Sequence, residues 1–318
     1  MNIIAADVGG TKTRFVVTDT DKPDHVLYEA RYNSRDFDSF EPLLQMFIAE
    51  SGSDNRQLGA LSLALPGVVN ANEASLTNLP WTISKKVLQD EFGVEQIHFM
   101  NDFQASALGI PHLKEQDLVC LNRAVHKKDA TRVAVGAGTG LGVSWVLGNG
   151  ADIAAWSTEG GHIDFAPVDA QQIELLEFLI RRHGHVSYER LLSGDGLVAL
   201  YEFCTGNECE DIDAAWVHAE AESENEAAYR AMSLFVSIYG AFVGNLALLF
   251  KPEGGIYITG GIAAKIISWM KSDGFISAYL NKGRMRTLAE QTSVYLVTNE
   301  RVGVIGAISE AAKLAGNK

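Results

Sequence analysis

The chain has 318 residues, 47% hydrophobic and 21% charged, with 40 acidic residues against 26 basic ones and a net charge of −14. That length leaves room for two globular domains, and the acidity excludes a general attraction to nucleic-acid backbones, anionic lipid or other polyanions. A phosphorylated ligand must therefore be held largely by backbone N–H groups and a metal ion.

In chain order, Ile3 to Ala6 read as a strand leading into the turn Asp7-Val8-Gly9-Gly10-Thr11, Phe15 to Val17 as the strand leaving it, and Val26 to Tyr28 as a third strand after a loop Asp21-Lys22-Pro23-Asp24. Phe40, Leu43, Leu44, Phe47 and Ile48 follow the 3.6-residue period of an amphipathic helix that Ser51-Gly52 ends. Ala60 to Leu65 read as a buried strand closed by Pro66-Gly67, and Ile97 to Met100 as another, with Asn101-Asp102 at its carboxyl end and a helix after it.

The pattern then begins again. Residues 132–146 are once more strand, glycine turn (Gly136-Ala137-Gly138-Thr139-Gly140) and strand. A third pair, Gly260-Gly261, follows the strand Gly255 to Thr259 and opens a helix. Repetition of this unit predicts two related α/β domains. The acidic stretch from Glu208 to Glu226 reads as a solvated helical face. Ala231 to Phe250 carries no charge and includes Gly240 and Gly244 at small-xxx-small spacing. It is near the lower length limit for crossing a bilayer. Its Ser233, Ser237, Tyr239 and Asn245, with no second apolar segment, predict a buried core helix, so no membrane partner is expected. The three cysteines, Cys120, Cys204 and Cys209, lack metal spacing and read as reduced thiols in a cytoplasmic enzyme, and the N-terminus does not read as a signal peptide.

Each glycine turn exposes successive backbone N–H groups, a nest that takes phosphate oxygens without lysine. One such turn alone reads rather as a plain hairpin. Three together predict a triphosphate clamp: Gly9, Gly10, Thr11 and Lys12 on one side, Gly136, Gly138, Thr139 and Gly140 on the other, with Gly260 and Gly261 close to the nucleoside. Asp7, at a strand end before the first turn, is a turn cap or a carboxylate holding hydrated magnesium. Asn101-Asp102 reads as a helix N-cap or as a sugar-binding amide beside a general base, and one residue can serve each role. Glu159, His162 and Glu189 supply the strong acceptors and the donor that a polyol requires, whereas His185 reads as shaping its loop.

In order, Asp-Val-Gly-Gly-Thr, Asn-Asp-Phe, Gly-Ala-Gly-Thr-Gly-Leu-Gly, Glu-Gly-Gly-His-Ile-Asp-Phe-Ala-Pro, Gly-His-Val-Ser-Tyr-Glu-Arg-Leu-Leu-Ser-Gly and Gly-Gly-Ile resemble the bacterial glucokinase family over nearly the whole chain. The resemblance implies two α/β domains of the actin-like ATPase/hexokinase (ribonuclease H-like) type with the active site in an interdomain cleft. The small domain would comprise 1–110 plus 300–318 and the large one 111–299. It further implies ATP, Mg2+, phosphorylation of the glucose 6-hydroxyl, and a homodimer; from the acidic charge no nucleic-acid partner is expected. It gives Asp102 as catalytic base, with Asn101, Glu159, His162 and Glu189 on the sugar and Gly138 reaching it through its backbone. The family often carries Asn where Lys12 stands, so Lys12 either touches a phosphate or faces solvent. The cysteine-rich zinc motif and N-terminal DNA-binding helices of related repressors are absent. A kinase for another hexose and a non-catalytic sugar sensor are the competing readings.

Overall fold

The computed structural model describes residues 1–53, 58–70, 72–76, 78–127, 129–149 and 152–316. By internal contacts the chain divides into two units, Met1–Leu113 with Gly148–Ser157 and Arg301–Lys318, and Lys114–Leu147 with Thr158–Glu300.

The first unit is built on β1 (Asn2–Val8), β2 (Lys12–Asp19), β3 (Lys22–Asn33), β4 (Leu58–Leu65) and, after three short strands β5 (Val68–Val69), β6 (Glu73–Ser75) and β7 (Thr82–Ser84), β8 (Ile97–Asn101). The five longer strands lie in the order β3–β2–β1–β4–β8. β1 is antiparallel to β2 and parallel to β4, and β4 is parallel to β8. β4 is buried at every position, as its unbroken run Leu-Gly-Ala-Leu-Ser-Leu-Ala-Leu requires of a strand covered on both faces. Helix α1 (Phe40–Ser51) buries all five residues of its periodic stripe and stops at Gly52, whose φ of 65° is the left-handed cap that glycine adopts most easily. Phe47 stacks on Phe15 at 4.8 Å.

One expectation is corrected here. The segment from Lys22 belongs to β3, not to a loop, and the register pairs Asp19 with Lys22. β3 is an edge strand, and Pro23 falls in the register shift between the Asp19–Lys22 and Thr18–Val26 pairs, where a residue without an N–H is tolerated.

After α2 (Lys85–Phe92) and α3 (Asp102–Gly109), the second unit opens with β9 (Leu118–Asn122), β10 (Arg132–Ala137) and β11 (Leu141–Leu147). β12 (Ala154–Thr158) is followed by α4 (Ala170–His183), α5 (Gly194–Thr205), α6 (Ala214–Glu222) and α7 (Glu226–Phe250). Then come β13 (Ile256–Thr259), α8 (Gly261–Lys265), α9 (Ile267–Met270), α10 (Asp273–Leu280), α11 (Arg286–Glu290) and β14 (Val294–Val297). The last helix, α12 (Val302–Gly316), belongs to the first unit. Within the second unit neighbouring strands run β11–β10–β13–β14–β9. β10 is antiparallel to β11 and parallel to β13, and β13 is parallel to β14. β11–β10–β13–β14 thus repeats β2–β1–β4–β8 in order and sense, and the repeated glycine turn reflects a repeated sheet.

Helix α7 is apolar and long enough to cross a bilayer by composition, but 67% of its most apolar window is buried inside the protein. Its two glycines serve close packing: a Cβ at Gly240 would lie 2.3 Å from the carbonyl oxygen of Phe275, and one at Gly244 2.5 Å from that of Tyr279. Backbone meets backbone in the first unit as well, where α3 and α12 cross. A Cβ at Gly306 would sit 1.9 Å from the carbonyl oxygen of Ala105. Gly306→Ala is therefore expected to destabilise the protein by about 2–3 kcal/mol through overpacking. Urea denaturation followed by circular dichroism checks this, and an unchanged midpoint would mean that the helices separate without loss.

Candidate active site

In the first turn, the Gly9 N–H donates to the Lys12 carbonyl at 3.0 Å, closing the hairpin between β1 and β2. The Ser34 hydroxyl donates to the Gly9 carbonyl at 2.7 Å and lies 3.0 Å from Thr13 Oγ1. This pins the turn from behind, a support with no motif of its own. A Cβ on Gly10 would lie 2.6 Å from Cβ of Asn78, so the second glycine is needed for space. Thr11 and Lys12 are exposed.

Asp7 precedes this turn near the end of β1. The side chain is half-buried by surface area, yet enough protein surrounds the carboxyl that burial pushes its pKa up to about 6, against the opposing pull of the Arg31 guanidinium. Gly303, in the first turn of α12, passes so near that a Cβ there would stand 3.1 Å from Asp7 Oδ2.

The second and third glycine loops meet within the second unit. Gly260, with φ of 86°, brings its Cα so close that a Cβ would lie 2.6 Å from the Ala137 carbonyl oxygen. Gly136 makes the reciprocal approach to Thr259, with a hypothetical Cβ 2.6 Å from that residue's carbonyl oxygen. The Ala137 N–H donates to the buried Tyr239 hydroxyl at 3.2 Å. The Gly138 N–H closes onto the Gly140 carbonyl at 2.8 Å, while the Gly138 carbonyl accepts from Gly194 N–H, at the start of α5, at 2.9 Å. Among the described residues other than its chain neighbours, no atom lies within 4 Å of where a Gly138 Cβ would project.

Beside this turn stand the side chains that read as polyol ligands. Glu189 Oε2 accepts from the Leu141 N–H at 2.8 Å, and Glu189 Oε1 lies 3.7 Å from His162 Nε2, which is 3.8 Å from Glu159 Oε2. The two glycines between Glu159 and His162 let the segment press onto β11: a Cβ on Gly161 would fall 1.9 Å from the Leu141 carbonyl oxygen. Main-chain pairing joins the two segments, with Tyr188 N–H donating to Ile163 at 3.1 Å and Phe165 N–H to Val186 at 2.9 Å. His185 instead meets Asp164 at 2.7 Å, both side chains well exposed.

In the first unit, Asn101 is the N-cap of α3. Its Oδ1 accepts from the Phe103 N–H at 2.9 Å and from the Gln104 N–H at 3.4 Å. That leaves Nδ2 as the atom through which Asn101 can reach a hydroxyl. Asp102 Oδ1 accepts from Phe103 N–H at 3.0 Å, which fixes the carboxylate at the first turn of the helix. The cap is thus supplied by Asn101, and Asp102 beside it is also half-buried.

Among the described residues no three His, Cys, Asp or Glu side chains converge in a metal-binding group. A single carboxylate is nevertheless the donor set that suits magnesium held mainly by water and phosphate oxygens. Asp7, partly desolvated and with its proton held unusually tightly, fits that role: a cation would relieve the charge that the fold makes unfavourable.

A sheet duplicated in this way, with a glycine turn beside a central strand of each copy, is the actin-like ATPase/hexokinase fold, and carboxylates with an imidazole beside such a turn point to a sugar kinase. The family model described as Glucokinase matches residues 4–314. The glucokinase of Nostoc punctiforme is 36% identical over 340 residues, covering 98% of this chain and 99% of its own. Among solved structures, the glucokinase of an Antarctic psychrotroph superposes with a TM-score of 0.84 at 29% identity, covering 98% of each chain. A ROK family glucokinase from Streptomyces griseus, in complex with glucose and AMPPNP, does so with a TM-score of 0.63 at 18% identity, covering 98% of this chain and 99% of its own. The chain belongs to the glucokinase family, and it is an ATP-dependent hexose kinase.

The Asp7 carboxyl has a folded pKa of about 6, above its ordinary 3.8. The folded state therefore binds the proton more tightly, and stability falls as pH rises from about 4 through about 6. Fully expressed, the difference is at most about 3 kcal/mol. Asp7→Asn should accordingly stabilise the free protein at pH 8, with the advantage shrinking steadily toward pH 4. Chemical denaturation of both proteins across that range measures it, and a gap that does not vary with pH would contradict the assignment.

Proposed function

We propose that the protein transfers the γ-phosphate of ATP to the 6-hydroxyl of glucose, giving glucose 6-phosphate and ADP. What carries this reading is the bond from the Leu141 N–H to Glu189 Oε2, which sets a polyol-binding carboxylate directly against a phosphate-type turn. Glu189, His162 and Glu159 take the sugar hydroxyls. Asn101 contributes through Nδ2, and Gly138 through its backbone. Asp102 accepts the proton of the 6-hydroxyl as that oxygen bonds to the γ-phosphorus, and the bond from phosphorus to the β,γ-bridging oxygen breaks with its electron pair leaving on ADP.

The turns at Gly9, Gly10, Thr11 and at Gly136, Gly138, Thr139, Gly140 lie along the phosphates, the N–H groups of Gly9 and Gly138 closing the turns themselves rather than meeting phosphate, and Gly260 and Gly261 allow the nucleoside close. Lys12 is exposed and free to add one charge at the phosphates. Asp7 would help to hold magnesium brought in with the nucleotide, and the ion would supply charge neutralisation on the phosphates. The N-terminal and C-terminal segments, 1–110 and 300–318, form the smaller domain in this reading and 111–299 the larger, although internal contacts group Gly148–Ser157 with the first unit. The enzyme works in the cytoplasm, consistent with its three free thiols. It works as a homodimer, for which exposed Ile173 and Ile180 on one side of α4 offer an apolar stripe. Sedimentation velocity tests the dimer.

Asp102→Asn preserves shape and removes the base. Turnover should fall about a hundredfold or more, with glucose affinity by calorimetry changed less than about threefold. A coupled assay of ADP release across a panel of hexoses completes the test. Parallel loss of affinity and turnover would make Asp102 structural, and faster turnover of another hexose would overturn glucose as the substrate.

A further inference from the structure

Behind the sugar-side cluster lies a buried polar chain that its chemistry does not use. Tyr188, immediately before Glu189, is 2% exposed, with its ring against Phe242 at 4.6 Å and edge-on to Phe165 at 5.6 Å. A phenolic oxygen that deep needs partners. It receives the backbone N–H of Ala166 and, at 3.1 Å, Nδ2 of Asn245 from the middle of α7. Oδ1 of the same Asn245 accepts from Lys282 Nζ at 2.9 Å, and Lys282 also donates to the Ala241 carbonyl at 2.9 Å.

Lys282 follows α10, and its stem reaches Asn245 by passing over Gly244, where a Cβ would lie 2.3 Å from Lys282 Cε. The glycine of the small-xxx-small motif therefore has a second purpose beyond helix packing. Burial lowers the Lys282 pKa below the usual lysine value, so its ammonium is held at some expense in hydration.

The chain has a fixed direction. An ammonium can only donate, so the atom of Asn245 facing Lys282 must be the oxygen, and the amide nitrogen must then face Tyr188. Without Lys282 that amide could rotate either way. The fixed amide in turn holds Tyr188, whose hydroxyl binds the Ala166 amide while its own N–H holds Ile163. Tyr188 thus ties the segment after His162 to the segment containing Glu189.

We propose that Lys282, Asn245 and Tyr188 are positioning residues that set the placement of Glu189 and His162 for the sugar. This rests on the reading of Glu189 and His162 as sugar ligands.

The test uses Tyr188→Phe, which deletes one oxygen and keeps the packed ring, together with Asn245→Leu and Lys282→Met. Each should raise the KM and the calorimetric Kd for glucose about 10-fold, leaving the KM for ATP and kcat at saturating glucose within about twofold. Asn245→Asp should restore near-normal values, because its carboxylate still accepts from Lys282 and can accept from the Tyr188 hydroxyl. In a Glu189→Gln background, Tyr188→Phe should add little further loss, since its effect passes through the residue already changed.

Unchanged glucose affinity in Tyr188→Phe would overturn the proposal. So would losses in both substrates and kcat that track a drop in melting temperature, or full additivity with Glu189→Gln. Glucose affinity by calorimetry requires no phosphoryl transfer, so this outcome is independent of the Asp102→Asn result. Should Asn245→Leu fold poorly, Tyr188→Phe alone decides.

Discussion

The Glu189 carboxylate accepts a hydrogen bond from the Leu141 N–H at 2.8 Å, and much of the second unit can be understood as what that contact requires. Leu141 begins the strand that leaves the Gly136–Gly140 turn, so a side chain on one loop is registered against the backbone of another. A Cβ on Gly140 would stand 2.5 Å from Glu189 Oε2, so glycine is needed there for space as well as turn geometry. Gly161 obeys the same constraint from the other side, pressing the His162 segment against the Leu141 carbonyl. The Leu141 N–H thereby orients one of the residues assigned to the sugar, and the Leu141 carbonyl lies against the segment that carries another. A charge-assisted bond of this kind is roughly twice as strong as a neutral one, and stiffer in direction.

A net charge of −14 makes the phosphate problem sharper. The chain cannot rely on a basic field to bring in a triphosphate, and Lys12 is the one lysine in the turns themselves. What the glycine hairpins offer instead is rigidity, because they are braced from behind. Ser34 braces the first, and Tyr239 and Gly194 brace the second. Such bracing matters because a nest of N–H groups is preorganised only if its loop does not relax when the anion leaves.

How far the sequence carried the description depended on the range of the interaction. Elements defined by local period or local turn chemistry were legible: the five apolar residues of α1, the left-handed Gly52, and the strand–turn–strand repeat that the matching sheet orders of the two units explain. The start of β3 was not, because Pro23 suggests a loop by propensity and only its position at a sheet edge makes it tolerable as strand. Asn101 was legible as a residue of interest but ambiguous in role, since an asparagine that caps a helix and one that meets a hydroxyl look the same in sequence. The pressing of Gly260 on Ala137, of Gly194 on Gly138 and of Gly303 on Asp7 joins residues 56 to 296 positions apart, and no periodicity encodes such pairs. The pairing of Lys282 with Asn245, which the sequence shows only as a polar residue in a buried helix, was invisible for the same reason.

Asp7 shows where the fold works against its own stability. A carboxylate kept partly out of water near Gly303, with a pKa of about 6, is an unfavourable group for the free protein near neutral pH. Buried charges of this type persist where a ligand relieves them. The same desolvation that raises the pKa strengthens attraction to a cation, because the competing solvent is gone. A protein selected for stability alone would place asparagine or an apolar residue there. A cation bound at this acid would couple its binding to the free energy of the first unit.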